Sequence, residues 1–463
     1  MRKYPLLLIL SALIATIGYF GLQNETATAG ASGVGDPYFP ELGNGGYDAQ
    51  HYTIDIDVDL DTTTIAGSVT MTALATQALS SFNLDFAGFT IDSIVVNGRS
   101  ADFTRQNREL IITPASSIRN GASFDVTVTY SGVPGRNVDL PQLPFSRGWT
   151  FYSAGVYVAS EPDGASLWYP VNDHPSDKAT YTTIITVDNP YTVAANGTLT
   201  DIATDNAQTT YTWENQDPTA SYLVTVNIAE FARSDDTIVN EVPIRNYFPD
   251  YRQSMGDAVF ANTAEMMHLF NGHFTDYPFE AYGAVVADTT LPFALETQTL
   301  SLFGSNIFTH NAGAQVTIAH ELAHSWFGNH VSPATWRDIW LNEGFATYAS
   351  VLWVEDHYGR GVAENLMDDW YTVVRNNRVI VGDPGAENLF NINVYFRGAW
   401  TLHALRDDVG DDIFFEIIQT YQTRYAYQNA EIADFIAVAE EISEQDLANF
   451  FDQWLYQVEI PQR

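Results

Sequence analysis

Two histidines and two glutamates form the most informative pattern in the sequence. The run His320–His324 reads H-E-L-A-H, and Glu343 follows it after eighteen further residues. Histidines four apart on a helix lie on one face, so both imidazoles can reach the same metal ion. Glu321 lies beside that pair, where its carboxylate can accept a proton from a metal-bound water. The pattern predicts a hydrolytic zinc site with His320 and His324 as ligands.

Two residues compete for the place of the third ligand. His330 follows His320 by ten residues, as in H-E-x-x-H-x-x-G-x-x-H sites, but Phe327 stands where that pattern needs glycine. Glu343 belongs to a second helical run, and a helix–loop–helix can return its carboxylate to the metal. A set of two histidines and one glutamate leaves a fourth position for water. We therefore predict Glu343 as the ligand and His330 as a loop histidine nearby.

The period of the apolar residues changes once along the chain, near residue 236. Short alternating runs fill 47–235, as in His51–Leu60, and turn residues separate them. Longer runs of helical period follow, at Ala258–Phe270, Val316–Phe327, Phe345–His357, Trp400–Leu405, Ile413–Tyr421 and Ile432–Ile442. The sequence predicts an α+β multidomain fold, with an antiparallel β-sandwich-like domain at 47–235 and a mainly helical domain at 236–463.

The first residues have the composition of a secretory signal. Basic residues at positions 2 and 3 precede the apolar run Leu6–Leu22, and Ala27–Ala29 offers an A-x-A cleavage site. We predict a signal peptide at 1–29 and a secreted or extracytoplasmic protein. An uncleaved membrane anchor is the alternative, because the run is nearly long enough to span a bilayer. Residues 30–46, rich in Gly, Pro and Ser, predict a flexible lead.

The overall composition excludes several classes of function. A formal net charge of −37 disfavours nucleic acid and anionic membrane surfaces as partners. The absence of cysteine excludes a thiol nucleophile and a thiolate zinc site, and no G-x-S-x-G run supports serine-hydrolase chemistry. No stable membrane partner is expected unless the N-terminal segment stays uncleaved.

The flanks of the metal motif resemble a known family. His320–Asn329 and Trp340–Ala346 are similar to the core signature of the aminopeptidase N family of gluzincin peptidases, and the likeness runs from Tyr47 to Tyr456. The resemblance implies a β-rich N-terminal domain, a thermolysin-like catalytic domain and one zinc ion per chain. It also implies peptide substrates from which single N-terminal residues are removed.

Two glutamates resemble the family's anchors for the substrate amine. Phe293–Thr297 is similar to the Gly-x-Met-Glu-Asn motif and keeps the glutamate as Glu296, although three of five positions differ. Glu161, upstream of Leu167–Pro170, resembles an N-domain residue that also touches the amine; a solvated loop carboxylate is its alternative interpretation. A carboxylate near the metal would bind an α-ammonium and fix which peptide bond is presented.

A third motif supplies a tyrosine. Tyr395–Ala399 resembles the family's Tyr-x-Lys-Gly-Ala, with Arg397 in place of the lysine. The resemblance implies that the Tyr395 hydroxyl donates a hydrogen bond to the oxyanion of the tetrahedral intermediate. Glu321 would act as base and then as acid.

Other functions on the same scaffold stay open at the level of the sequence. A zinc endopeptidase would share the metal site without the amine anchor, and an epoxide hydrolase would need a tunnel for a fatty epoxide. A binding protein would have no need for Glu321 and Tyr395 together. Larger family members continue into a further helical domain, whereas this sequence ends soon after Val458, so we expect a wide cleft.

Overall fold

The structure is a computed structural model that describes residues 26–135, 145–309 and 312–462. The apolar run Leu6–Leu22 and most of the predicted signal peptide lie outside these residues. Thr28 and Ala29, at the predicted cleavage site, form a short edge strand. None of the helices in the described ranges combines the length and the hydrophobicity needed to cross a bilayer.

Sixteen strands build the first half of the described chain. They are β1 (Thr28–Ala29), β2 (Tyr47–Asp59), β3 (Thr64–Ala75), β4 (Leu79–Asp85), β5 (Thr90–Val96), β6 (Arg99–Ser100), β7 (Asp102–Gln106), β8 (Glu109–Thr113), β9 (Ser123–Gly132), β10 (Gly148–Tyr152), β11 (Gly155–Ala159), β12 (Ala179–Asp188), β13 (Thr192–Ala195), β14 (Thr198–Asp205), β15 (Gln208–Thr219) and β16 (Val226–Ala229).

These strands form three sheets. An eight-stranded sheet has the order β14-β15-β12-β2-β3-β9-β5-β6, and two four-stranded sheets have the orders β1-β4-β8-β7 and β10-β11-β16-β13. Alternation along β2 explains the packing, because Ile54, Ile56 and Val58 are buried while Asp55 and Asp57 face solvent. Pairing is mostly antiparallel, as predicted, but β2 runs parallel to β12 and β1 parallel to β4.

The second half is mainly helical. Its strands are β17 (Phe231–Val239), β18 (Val242–Pro249), β19 (Ala284–Ala287), β20 (Ser301–Gly304), β21 (Ser332–Pro333) and β22 (Asn429–Ala430). Its helices are α1 (Gln253–Val259), α2 (Thr263–His273), α3 (Ala312–Ala323), α4 (Trp340–Tyr358), α5 (Arg360–Val374), α6 (Ile392–Val409), α7 (Asp411–Arg424), α8 (Ile432–Ser443) and α9 (Ala448–Phe451), followed by a π-helical turn, Asp452–Tyr456. The predicted order of a β-rich part and a helical part is confirmed.

The sheet β17-β18-β19-β20 joins the two halves. On β19, Val285 packs into the core of the β-rich half, whereas Val286 packs into the core of the helical half. Leu302 and Phe303 divide in the same way on β20. Because successive side chains of a strand point to opposite faces, one sheet serves both cores. The metal motif on α3 therefore lies close to residues of the β-rich half.

Two expectations about the domain limits need correction. The lead 30–46 is packed: Asp36 Oδ2 accepts a hydrogen bond from Trp336 N at 2.8 Å and lies 3.1 Å from His174 Nε2. Leu42 is also buried. The boundary predicted between 235 and 236 falls inside β17. This strand pairs with β18 in the sheet that joins the two halves. In the lead, contacts with residues far along the chain override the local composition, whereas the boundary is displaced by a hairpin between neighbouring strands.

Candidate metal centre and substrate cavity

Three possible ligand atoms, from the end of α3 and the start of α4, converge in the helical half. His320 lies near the end of α3, and His324 follows its last residue. Glu343 lies in the first turn of α4. His320 Nε2 lies 3.0 Å from His324 Nε2 and 3.2 Å from Glu343 Oε2, and His324 Nε2 lies 3.5 Å from the same oxygen. The structure thus brings together the three residues that the spacing predicted as ligands.

Contacts behind the ligands fix how the imidazoles face. His324 Nδ1 lies 3.0 Å from the backbone oxygen of Phe327, and His320 Nδ1 lies 3.4 Å from Thr347 Oγ1. A Nδ1–H that donates to the carbonyl leaves the lone pair of His324 Nε2 directed at the ligand triangle. The ring orientation is therefore set by the turn that follows α3.

The dimensions and charge of this triangle fit a zinc ion. Tetrahedral ligands at the usual zinc distances are about 3.3 Å apart, close to the three separations given above. Burial alone would raise the pKa of the Glu343 carboxyl, but the neighbouring His324 and His320 hold that pKa at about 2. Glu343 Oε2 is buried, and within the described part of the chain it has no hydrogen-bond partner. The ligand set thus consists of one ionised carboxylate oxygen and two imidazole nitrogens that face it. This is a ligand set that binds a divalent cation such as zinc.

The ligand triangle lies in the wall of a cavity of about 460 Å³. Every predicted site residue lines this cavity. Glu321, Glu296, Glu161 and Tyr395 line it together with the three ligands. No lysine or arginine is among the described residues of this lining. Although burial lowers the pKa of His324, the carboxylates of Glu296 and Glu343 raise it to about 10. The cavity therefore has a strongly negative field that favours a cation.

Glu321 is buried in the cavity next to the ligands. One of its carboxylate oxygens lies within 4.8 Å of ligand atoms of His324 and Glu296. Burial first, and then the charges of Glu296 and Glu343, raise its pKa well above the usual value, against the effect of His324. A carboxylate with a raised pKa beside a metal site is suited to take up and return a proton.

Glu161 and Glu296 approach the cavity from opposite halves of the protein. Glu161 follows β11, and Glu296 lies in the segment between β19 and β20. Both side chains are buried, and the Oε1 atom of each has no hydrogen-bond partner among the residues that the structure describes. Buried carboxylate oxygens without donors are costly unless a ligand supplies the donors. The alternative of a solvated loop carboxylate does not hold for Glu161, which is 7% exposed.

Tyr395 is carried by α6, which packs closely against α4. A Cβ atom at Gly398 would lie 2.8 Å from the Cα of Gly344, so glycine is needed on both helices at their crossing. This close approach places the Tyr395 ring over the His320 ring, with centroids 6.0 Å apart. Burial and then Glu343 raise the pKa of Tyr395 well above its usual range, so its hydroxyl remains a donor.

His330, the competing ligand, lies elsewhere. Its Nδ1 is 3.1 Å from Gln422 Oε1, and its ring packs against Tyr427 with centroids 4.6 Å apart. Burial lowers the pKa of His330 to about 4. Gly328 turns the chain at φ +119° just before it. The turn directs His330 toward α7 and away from the ligand triangle.

Two residues that support the Glu296 segment were not predicted from the sequence. Asn329 Nδ2 donates a 2.8 Å hydrogen bond to the backbone oxygen of Glu296. Lys178, one of two lysines in the sequence, donates to the backbone oxygens of Asn329 and His330 at 3.0 and 3.1 Å. The rarity of lysine was the only signal available for Lys178. Three aromatic rings of the apolar lining contact one another: Phe145 packs against both Phe293 and Phe390. No motif in the sequence pointed to Phe145 or Phe390.

The two halves match the two domains of one peptidase family. Residues 48–223 match the peptidase M1 N-terminal domain, and residues 259–454 match the peptidase family M1 domain. Together these matches cover most of the sequence and follow the division seen in the structure.

Curated relatives are longer than this chain. Aminopeptidase A of Gloydius brevicauda is 27% identical over 332 residues, which are 66% of this chain and 35% of that protein. Probable aminopeptidase 2 of Sulfurisphaera tokodaii is 26% identical over 397 residues, or 80% of this chain and 49% of that protein. The chain thus spans between about a third and a half of these relatives.

A solved structure matches nearly the whole length. The M1 zinc metallopeptidase of Deinococcus radiodurans has a TM-score of 0.83 and 28% identity, with 93% of this chain and 98% of that chain covered. A mutant of the same enzyme was crystallised with a Tyr-Ser-Ala substrate. Zinc is the metal that this family implies, in agreement with the ligand triangle. From both domain matches and this structural likeness, we conclude that the chain belongs to peptidase family M1.

Proposed function

We propose that this protein is a zinc-dependent aminopeptidase that removes single residues from the N-termini of peptides. The observation that carries the proposal is the pair Glu161 and Glu296. Both line the cavity of the ligand triangle, and each has a buried carboxylate oxygen for which the described ranges supply no donor. An α-ammonium supplies three donors and a positive charge, so it satisfies both oxygens.

One zinc ion per chain would be held by His320, His324 and Glu343. When bound, such an ion polarises the scissile carbonyl and lowers the pKa of water. Glu321 accepts the proton of the attacking water and delivers it to the leaving amine. Tyr395 donates a hydrogen bond to the oxyanion. Glu161 and Glu296 hold the free N-terminus, so that the first peptide bond is the one presented for attack.

The likeness to relatives supports the same activity. The matched relatives are aminopeptidases by name, and a mutant of the Deinococcus radiodurans enzyme was crystallised with a tripeptide substrate. We further propose that the protein acts outside the cytoplasm and carries the signal peptide predicted at 1–29. N-terminal sequencing of the exported protein tests this part separately.

A panel of aminoacyl-coumarin substrates tests the activity. We expect release of coumarin by the zinc-loaded protein, loss of release after chelation, and recovery when zinc is added back. Release that is unchanged after complete removal of the metal would contradict the proposal.

A further inference from the structure

Four glutamates of one cavity must be kept in place against their own repulsion. Glu296, Glu321 and Glu343 come from the catalytic half, whereas Glu161 comes alone from the β-rich half. Like charges within a few ångströms repel strongly where water is scarce. The Glu161 loop therefore needs an attachment that prevents it from moving outward before a substrate amine arrives.

Asp163, two residues after Glu161, is held by two arginines. Arg108 Nη1 lies 2.9 Å from Asp163 Oδ2, and Arg147 Nη1 lies 2.5 Å from Asp163 Oδ1. The Asp163 side chain is only 2% exposed and that of Arg147 only 6%. Each carboxylate oxygen thus has its own guanidinium in a buried place, where such pairs are stronger than at the surface.

The two arginines belong to separate segments of the β-rich half. Arg108 lies in the turn between β7 and β8, and Arg147 directly precedes β10. Arg108 also donates to the backbone oxygen of Asp163 and to Ser166 Oγ, and it lies 3.4 Å from Asp173 Oδ2. The clamp, defined as Arg108, Asp163 and Arg147, thus ties the Glu161 loop to two other parts of the domain.

The clamp lies directly behind the cavity wall. Gly148 at the start of β10 pairs with Ala159 at the end of β11, and Ala159 itself lines the cavity. A Cβ atom at Gly164 would lie 2.7 Å from the nitrogen of Gly148, so the two segments approach closely. Phe145, two residues before Arg147, also lines the cavity. Movement of the clamp would therefore move the wall.

We infer that Asp163, held by Arg108 and Arg147, is a positioning residue that keeps Glu161 at the place where it meets the substrate amine. Asp163 is not among the described lining residues of the cavity, so it acts through Glu161. The inference rests on the proposed aminopeptidase function, since it assigns Glu161 to the amine. The clamp in the β-rich domain thus affects how tightly the substrate binds at the metal site of the helical domain.

The test is Asp163→Asn in the full-length, zinc-loaded protein. The amine contact is present in both the bound substrate and the transition state, so its weakening raises KM more than it lowers kcat. We expect KM for a free-amine substrate to rise about tenfold, with kcat changed less than about threefold. In a Glu161→Ala background the same substitution should change KM no further, because the residue through which it acts is gone.

Matched variants separate positioning from folding. Glu355→Gln breaks another partly buried arginine pair, Arg406–Glu355 at 2.8 Å. Neither residue is among those described as lining the cavity, so KM should stay unchanged. Arg147→Lys keeps the positive charge but loses the planar guanidinium that pairs with Asp163. This variant replaces Asp163→Asn in the test if Asp163→Asn does not fold. Its expected KM effect has the same direction and a smaller size.

Hydrogen exchange gives a readout that does not depend on turnover. In Asp163→Asn, faster amide exchange is expected in residues 159–164 and 145–148, with the metal helices unchanged. A KM effect that is fully additive with Glu161→Ala, or unchanged KM with unchanged exchange in these segments, would overturn the inference. If the unmodified protein cleaves no free-amine substrate, the proposed function fails, and the exchange result alone then judges the clamp.

Discussion

In the proposed activity, turnover depends most directly on Glu321. It lies in the cavity beside the ligand triangle but contributes no atom to the triangle of His320, His324 and Glu343. Glu321→Gln keeps the size of the side chain and removes the base, so zinc content should stay normal while kcat falls about 10³-fold. Metal analysis and steady-state rates on the same preparation check this. Near-normal turnover in the variant would show that another group moves the proton.

The choice between Glu343 and His330 is a second prediction at this scale. Glu343 Oε2 faces both imidazoles, whereas His330 is bonded to Gln422. Glu343→Ala should therefore lose zinc during dialysis, and His330→Ala should retain it. Zinc content measured after identical dialysis decides between them. Retention by the first variant and loss by the second would move the third ligand to His330.

The residue scale is where the sequence predicted most. The spacing of His320, His324 and Glu343 is local, and helix geometry translates it directly into a common site. Glu161 and Glu296 could be predicted only through resemblance to a family, because no spacing rule connects residues so far apart. Asp163 and Lys178 could not be predicted, since their roles consist of contacts with residues distant in the sequence.

At the scale of elements, the order of strands and helices was predictable but several limits were not. Helix α5 was missed, although its buried residues Ala363, Met367, Trp370 and Val374 have helical spacing, because polar residues dominate the rest of it. The lead 30–46 has a flexible composition, yet Asp36 bonds to Trp336, 300 residues away. The conformational preference of a short segment carries no information about contacts with residues so far along the chain.

Arg397 shows how one side chain holds an element. It is fully buried on α6 and donates to four backbone oxygens of the C-terminal turn, those of Gln453, Trp454, Gln457 and Val458, at 2.6 to 3.3 Å. From the sequence, Arg397 could be described only as a positive charge in place of the family's lysine. The hydrogen bonds in the structure assign it a structural role. It caps the last turn of the described chain against the helix that carries Tyr395.

Replacement of Arg397 should therefore destabilise the protein. Arg397→Met leaves several buried carbonyls without donors, and the free energy of unfolding should fall by about 3 kcal/mol or more. The stability of Arg397→Lys should lie between those of Arg397→Met and the parent protein, because an ammonium lacks the several donors of the planar guanidinium. Arg424→Met, which breaks an exposed pair with Glu441, should cost less than about 1 kcal/mol. Urea unfolding followed by tryptophan fluorescence measures all three, and equal stability of Arg397→Met and the parent would refute the role.

For the whole molecule, the net charge of −37 is the dominant property. Repulsion among so many carboxylates opposes the compact state, and salt screens it over about 10 Å at 0.1 M. The melting temperature should therefore rise when NaCl is increased from about 0.02 M to about 0.5 M. Sucrose of the same osmolality serves as the control for excluded-solute effects. A melting temperature that is constant or falls with NaCl would contradict this reading of the charge.

The central claim is that two carboxylates beside a zinc triangle select a free N-terminus. The measurement is kcat/KM for matched peptides that differ only in N-terminal acetylation, with the zinc-loaded parent and with Glu296→Ala. Two charged contacts of about 1.5–3 kcal/mol each predict a preference of about 10²-fold or more for the free amine in the parent. That preference should shrink in Glu296→Ala. Equal cleavage of both peptides by the parent would contradict the account and identify the site as that of an endopeptidase.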